Sequence, residues 1–344
     1  MVRMTSPATA VTRCTTTAAA GQLPGVGVSV DMEVPKELHG TVLSLLHPFV
    51  AVTSDTGRAA PWRVISSIEE AANDDGLVSY GGHDDTAVRI GVDARARVVR
   101  LVAASESRYL AVHTVRVVRS LLRLATLESD PSALFVHGGM FARSGLGLAV
   151  LGGKRSGKTS TILGAAALGA AFVSNDDLSL HVGEQDCVGV GWPRSVSIRE
   201  DTLAALGGAM PDEASHPAND TFDAYRNGAR LLFPSQISSL FATELVASAT
   251  VVGLVFPSFA SDNESSITKL IPAETGARLR AQLLHPPVKD TFLAEHFALP
   301  DPVGLAERAD LIAAKLPGYE VRQSLSTLRV TAAGLARILD GRKR

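Results

Sequence analysis

Between Val26 and Val34 apolar residues alternate at Val26, Val28, Val30, Met32 and Val34, the period of a strand with one buried face. Similar β-rich runs predict strands at Pro48–Thr53, Trp62–Ile68, Ala87–Val92 and Val98–Ala104, with turn-forming stretches at Ala72–Gly76 and Gly81–Asp85 between them. The expected result is an antiparallel N-terminal sheet. From Arg108 to Leu127 the period becomes helical, placing Leu110, Val115, Val118, Leu122 and Ala125 on one face and Arg116, Arg119 and Arg123 near the other. Asp130-Pro131 ends that helix. Charge on the outer side of an amphipathic helix needs no special cause, so these arginines are expected on a solvated face, with ligand contact as the alternative.

Past Pro131, apolar runs at Ala133–His137 and Leu146–Leu151 read as two strands, the second leading directly into glycines. A helix from about Lys158 to Leu168, a stop at Gly169 and a strand at Ala171–Ser174 follow, then Asn175-Asp176-Asp177. Beyond Gly191 come a proline-bearing segment at Trp192–Glu200, a polar span at Pro211–Asn227 and a buried strand near Val251–Phe256. Helices are expected at Ala273–Leu284, Gly304–Lys315 and Ala332–Arg342. The expected organisation is a disordered tail over 1–24, a β-rich subdomain over 25–130 that ends in a helix, and a phosphate-loop domain over 131–344.

With 344 residues and 46% hydrophobic content, the chain can bury a substantial core. A formal net charge of −2 supplies no global basic field, so nucleic acid is not an expected partner. Cys14 and Cys187 are too few for a disulfide framework and lack zinc-site spacing, which suits a reduced, cytoplasmic chain. No apolar run is long enough to span a membrane, and the N-terminus lacks the apolar core of a secretion signal.

Gly152-Gly153-Lys154-Arg155-Ser156-Gly157-Lys158-Thr159 matches G-x-x-x-x-G-K-[ST], between an apolar strand and an Ala-rich helix. Glycines let backbone amides turn inward around phosphate oxygens, and the helix N-terminus adds partial positive charge at the same point. Lys158 would reach the β- and γ-phosphates and the Thr159 hydroxyl would serve Mg2+; Ser160 completes the candidate nucleotide-binding segment. Lys154 and Arg155 either add charge at the phosphates or are solvated. The neighbouring G-x-G at Gly145–Gly147 lacks a third glycine at its offset, which argues against a dinucleotide site.

Asp176 and Asp177 follow the loop by one helix and one strand, a placement that brings acid beside a metal. Together they can divide metal binding and proton acceptance, or they can simply punctuate a strand end. Asp74-Asp75 and His83-Asp84-Asp85 read as punctuation. His137 ends the strand before the loop strand and can approach the same cluster.

These segments, Phe135–Gly138, Leu148–Thr159, Phe172–Asp177 and Trp192–Ile198, resemble HPr kinase/phosphorylase and its relatives, including kinases of ribosomal peptide pathways. The likeness implies a phosphoenolpyruvate-carboxykinase-like α/β fold (α+β), with a P-loop on a twisted mixed sheet. By the same likeness Lys158 binds phosphates, Thr159 and Asp177 serve the metal, Asp176 is the base and His137 tunes it. Arg194 and Arg230, with Arg226 beside it, are candidates for steadying the transferred phosphoryl group, because a guanidinium grips phosphate oxygens in two places. Lys154-Arg155 and Asn175 depart from the family pattern.

The expectation is therefore a kinase that uses ATP or GTP with Mg2+ and phosphorylates a hydroxyl of a peptide or of a small molecule. Its rival is a nucleotide-binding regulatory protein. A homo-oligomer is compatible with the sequence.

Overall fold

Alternating burial builds the first sheet, as Val30, Met32 and Val34 turn inward while Asp31 and Glu33 sit at half-buried positions. The computed structural model describes residues 11–18, 28–53, 60–68, 88–103, 109–184, 186–207, 225–226, 229–260 and 264–341. Its N-terminal part comprises β1 (Val11–Ala18), β2 (Ser29–Pro35), α1 (Lys36–Leu46), β3 (Val50–Thr53), β4 (Trp62–Ile68), β5 (Val88–Asp93) and β6 (Val98–Ala103). These strands form one sheet in the order β3-β1-β2-β4-β6-β5. Two expectations change here. Val11–Ala18, assigned to a disordered tail, is strand β1 and pairs with both β2 and β3. The sheet is mixed rather than antiparallel, since β2–β4 and β4–β6 run parallel. Parallel neighbours need a crossover connection, and α1 with β3 supplies the one between β2 and β4. Asp74-Asp75 and His83-Asp84-Asp85 lie outside the described residues, as does most of the polar span at 211–227.

Helix α2 (Leu110–Ser129) covers this sheet with Leu110, Val117, Val118 and Leu121, all buried. The Thr114 hydroxyl donates to the Leu110 carbonyl and meets Ser66 Oγ of β4 at 2.7 Å. The same helix then leads into the second sheet.

That region contains β7 (Leu134–Arg143), β8 (Leu146–Leu151), α3 (Lys158–Ala166), β9 (Ala171–Ser174), β10 (Asp177–Val182), β11 (Cys187–Gly191), β12 (Val196–Arg199), α4 (Glu200–Ala205), β13 (Tyr225–Arg226) and β14 (Ala229–Leu232). It continues with α5 (Pro234–Phe241), β15 (Ser248–Phe259), β16 (Ser266–Leu270), α6 (Pro272–Arg280), α7 (Thr291–Ala294), α8 (Pro302–Lys315), β17 (Gly318–Gln323) and α9 (Leu328–Asp340). The strand order is β11-β10-β7-β8-β15-β17-β16, with β9 attached to β7. Because β11 also pairs with β15, the strands β11-β10-β7-β8-β15 close into a ring. β15 runs parallel to β8 and to β17. Earlier in β15, Thr250 stands between Leu146 of β8 and Val188 of β11, and the β-branched run Thr250, Val251, Val252 suits that position. β12, β14 and β13 form a small separate sheet, with β12 inside the proline-bearing segment, β13 inside the polar span and β14 just after it. The architecture is mixed α/β, and among the described residues no helix is long and apolar enough to cross a membrane.

Candidate functional site

β8 ends at Leu151 and α3 begins at Lys158, so residues 152–157 form a loop between an apolar strand and a helix N-terminus. Lys158 is buried, and its Nζ donates to the carbonyls of Gly152 at 2.7 Å and Gly153 at 3.0 Å. Gly157 caps α3 at φ 101°, a conformation that strains an L side chain. A Cβ there would also stand 2.7 Å from Gln323 Nε2. Gln323, at the end of β17, donates to Thr161 Oγ1 at 2.8 Å and to the Gly157 carbonyl at 3.3 Å, fastening the loop from outside. A Cβ on Gly152 would stand 2.5 Å from Ser156 Oγ, so the loop closes tightly on itself. Ser156 Oγ and both amide atoms of Asn175 are buried without a hydrogen-bond partner. Lys154 and Arg155 are exposed, and Thr159 is half-buried. Ser160, grouped with the nucleotide-binding residues by sequence, is buried, with its hydroxyl 3.4 Å from Thr202 of α4.

The adjacent aspartates have opposite surroundings. Asp176, with 24% of its side chain exposed, has Oδ1 3.7 Å from His137 Nε2 and 3.9 Å from Lys158 Nζ, and Oδ2 4.0 Å from Arg194. Asp177 is only 6% exposed and is enclosed by Arg123 at 2.8 Å, Arg194 at 3.2 Å and Arg119 at 3.6 Å. Burial alone would raise its carboxyl pKa, but the three guanidinium groups, Arg123 foremost, hold it far below the usual carboxylate range. Sequence reasoning gave Asp177 to the metal. In the structure it is the counter-ion of three arginines, with Oδ2 buried and without a hydrogen-bond partner, and Asp176 is the more exposed carboxylate of the pair.

Cross-strand register puts His137 of β7 opposite Asp177 of β10, which explains how residues 40 positions apart share one cluster. Burial and the Lys158 charge lower the His137 pKa against the pull of Asp176, so its ring is neutral at neutral pH. Lys158 is lowered by burial and by Arg194, with Asp176 acting the other way. Arg194 is raised, because Asp177 and Asp176 outweigh its burial. His137, Lys158, Asp176 and Arg194 thus come together as expected. The side chains of Arg230 and Arg226 lie outside the described residues.

Arg119 and Arg123 were assigned to a solvated helix face, and this is corrected: both reach from α2 to Asp177. Arg123 is almost fully buried and lies 5.0 Å over the Phe135 ring. Arg119 also donates to the Pro193 carbonyl at 2.8 Å, while burial pushes its guanidinium pKa down to about 10. Further along β10, Ser179 Oγ meets His181 Nε2 at 3.0 Å, and His181 Nδ1 meets Asp130 at 3.0 Å. Trp192 Nε1 donates to the same serine oxygen at 3.0 Å. Among the described residues no group of three or more His, Cys, Asp or Glu side chains could hold a metal by itself.

No protein-family model and no curated protein matches the chain. Among solved structures, the HPr(Ser) kinase/phosphatase from Coxiella burnetii is similar at 10% identity and a TM-score of 0.30, over 61% of this chain and 97% of that one. A superposition that loose assigns no residue a role.

Proposed function

We propose that this protein is a kinase that transfers the γ-phosphate of ATP or GTP, with Mg2+, to a hydroxyl acceptor. The observation that carries the reading is the convergence of one outward-facing carboxylate, Asp176, with the Lys158 ammonium of a glycine loop and the Arg194 guanidinium, all within about 4 Å. The glycine loop and the start of α3 suit a polyphosphate, since backbone amides and the helix terminus both favour anions. Lys158 now satisfies two loop carbonyls and is the group that would turn to the phosphates.

In the transfer, the acceptor oxygen bonds to the γ-phosphorus and the bond to the β,γ-bridging oxygen breaks. The hydroxyl proton passes to Asp176, and the nucleoside diphosphate leaves. Arg194 and Lys158 balance charge on the moving group. Neutral His137 orients Asp176 without adding charge. Mg2+ would neutralise phosphate charge. It commonly retains waters and takes few protein ligands, so the absence of a three-residue cluster among the described residues is compatible with it, and the Thr159 hydroxyl is the candidate ligand.

The test follows labelled γ-phosphate from ATP into peptide and small-molecule pools with purified protein and Mg2+. Label should enter an acceptor and be lost in Lys158→Ala. Nucleotide binding with no transfer to any pool would replace this reading with the regulatory one.

A further inference from the structure

Beside the site, a cleft of about 190 Å3 opens between α1 and α2 on one side and residues 193–195 with 233–234 on the other. Its polar wall is Arg116, Arg119, Arg194 and Lys289, and its apolar wall includes Leu45 and Phe233. With Arg123 behind it and Lys158 beside Asp176, six cations face three carboxylates among the described residues here, Asp176, Asp177 and Asp290. Asp290 is taken by Arg116, at 2.5 and 3.1 Å, and by the Ser120 hydroxyl at 3.0 Å. Asp177 is enclosed by its own arginines. Lys289 is exposed at the rim, and no carboxylate of the described residues forms an ion pair with it. Its ammonium pKa is pushed down chiefly by Arg194 and by burial, against the pull of Asp177, so the positive field outweighs the acid nearby.

None of the elements lining the cleft carries the glycine loop. Arg194 belongs to both places, because it lines the cleft and lies 4.0 Å from Asp176. We propose that this cleft is the acceptor pocket and takes a small hydroxylated molecule bearing a carboxylate or phosphate, with the anion on Lys289 and the arginines and the hydroxyl toward Asp176. The size agrees, since the cleft is smaller than the roughly 300–1,000 Å3 of sites for drug-sized ligands. The apolar wall suits a short carbon backbone. This inference rests on the kinase reading of Asp176 and adds no chemical step to it.

The experiment titrates the full chain calorimetrically, without nucleotide, with glycerate, glycerol 3-phosphate and neutral glycerol, and separately with ATP. The two anions should bind and glycerol should not. Lys289→Gln and Ser195→Asp, which removes or opposes the positive field, should each weaken anion binding by about tenfold or more and leave ATP binding unchanged. Equal binding of glycerol overturns the proposal. So does an equal loss of ATP affinity in Lys289→Gln, which would give these cations to the nucleotide. Binding of an acidic serine peptide in place of both small anions also overturns it. Loss of the kinase reading is seen separately, as anion binding that persists while no label is transferred.

Discussion

Asp177, Ser179 and His181 occupy alternate positions on β10, and α2 runs along that row with Arg119 and Arg123 at one end and Asp130 at the other. At the arginine end the chain turns outward, so that Asp176, His137 and Lys158 meet beside the glycine loop. At the other end Ser179, His181 and Asp130 are bonded in the sequence of a hydrolytic triad, a more familiar catalytic set than the first. Yet Ser179 is fully buried, and Trp192 already donates to its oxygen. A nucleophile that no substrate can touch is a structural hydroxyl. What separates the two ends is access: residue identity alone would have ranked the sealed end first.

The two ends differ most sharply at the aspartates. Asp177→Ala strips a buried carboxylate from three arginines and should cost about 3–5 kcal/mol of folding stability, read by denaturant unfolding. Asp176→Asn should leave stability nearly unchanged and lower kcat about 10²–10⁴-fold with nucleotide affinity kept. If Asp176→Asn unfolds the protein while Asp177→Ala spares it, their roles are exchanged. Ser179→Ala should cost about 1–3 kcal/mol by leaving His181 and Trp192 short of a partner, with kcat intact. A large fall in kcat at unchanged stability would make the sealed end a working site.

The smallest effect concerns His113 of α2. Burial, followed by Arg116, pushes its pKa from 6.5 to about 4, against the attraction of Asp290. The unfolded chain therefore takes up this proton at a pH where the folded protein refuses it. Stability should decline as pH falls from 6.5 toward 4, and His113→Leu should flatten that part of a Tm-against-pH curve.

The glycine loop was legible because strand, loop and helix are contiguous, so the motif carries its own context. The parallel pairs of the N-terminal sheet were not, because α1 hides between Pro35 and Pro48 with Gly40 inside it, and a missed crossover turns parallel neighbours into expected hairpins. The arginines of α2 were misread for a physical reason. A helix with one apolar stripe normally shows its charged face to water, and only a buried carboxylate more than 50 positions away, Asp177, reverses that. Gln323 was likewise invisible, since nothing local marks a residue at the end of β17 as the clasp of a loop formed 166 positions earlier.

The strands β11, β10, β7, β8 and β15 are held in a closed ring by the β11–β15 pairing. In an open sheet a strand can slide by a residue and be tolerated at a free edge, but around a closed circuit every slip must be matched by all the other members. The spacing between the histidine on one hoop strand, the acid pair entering the next and the glycine loop leaving a third is therefore set in whole-residue steps by a closure condition. Insertions in the connecting loops should alter that spacing far less than a single residue added within any of the five strands.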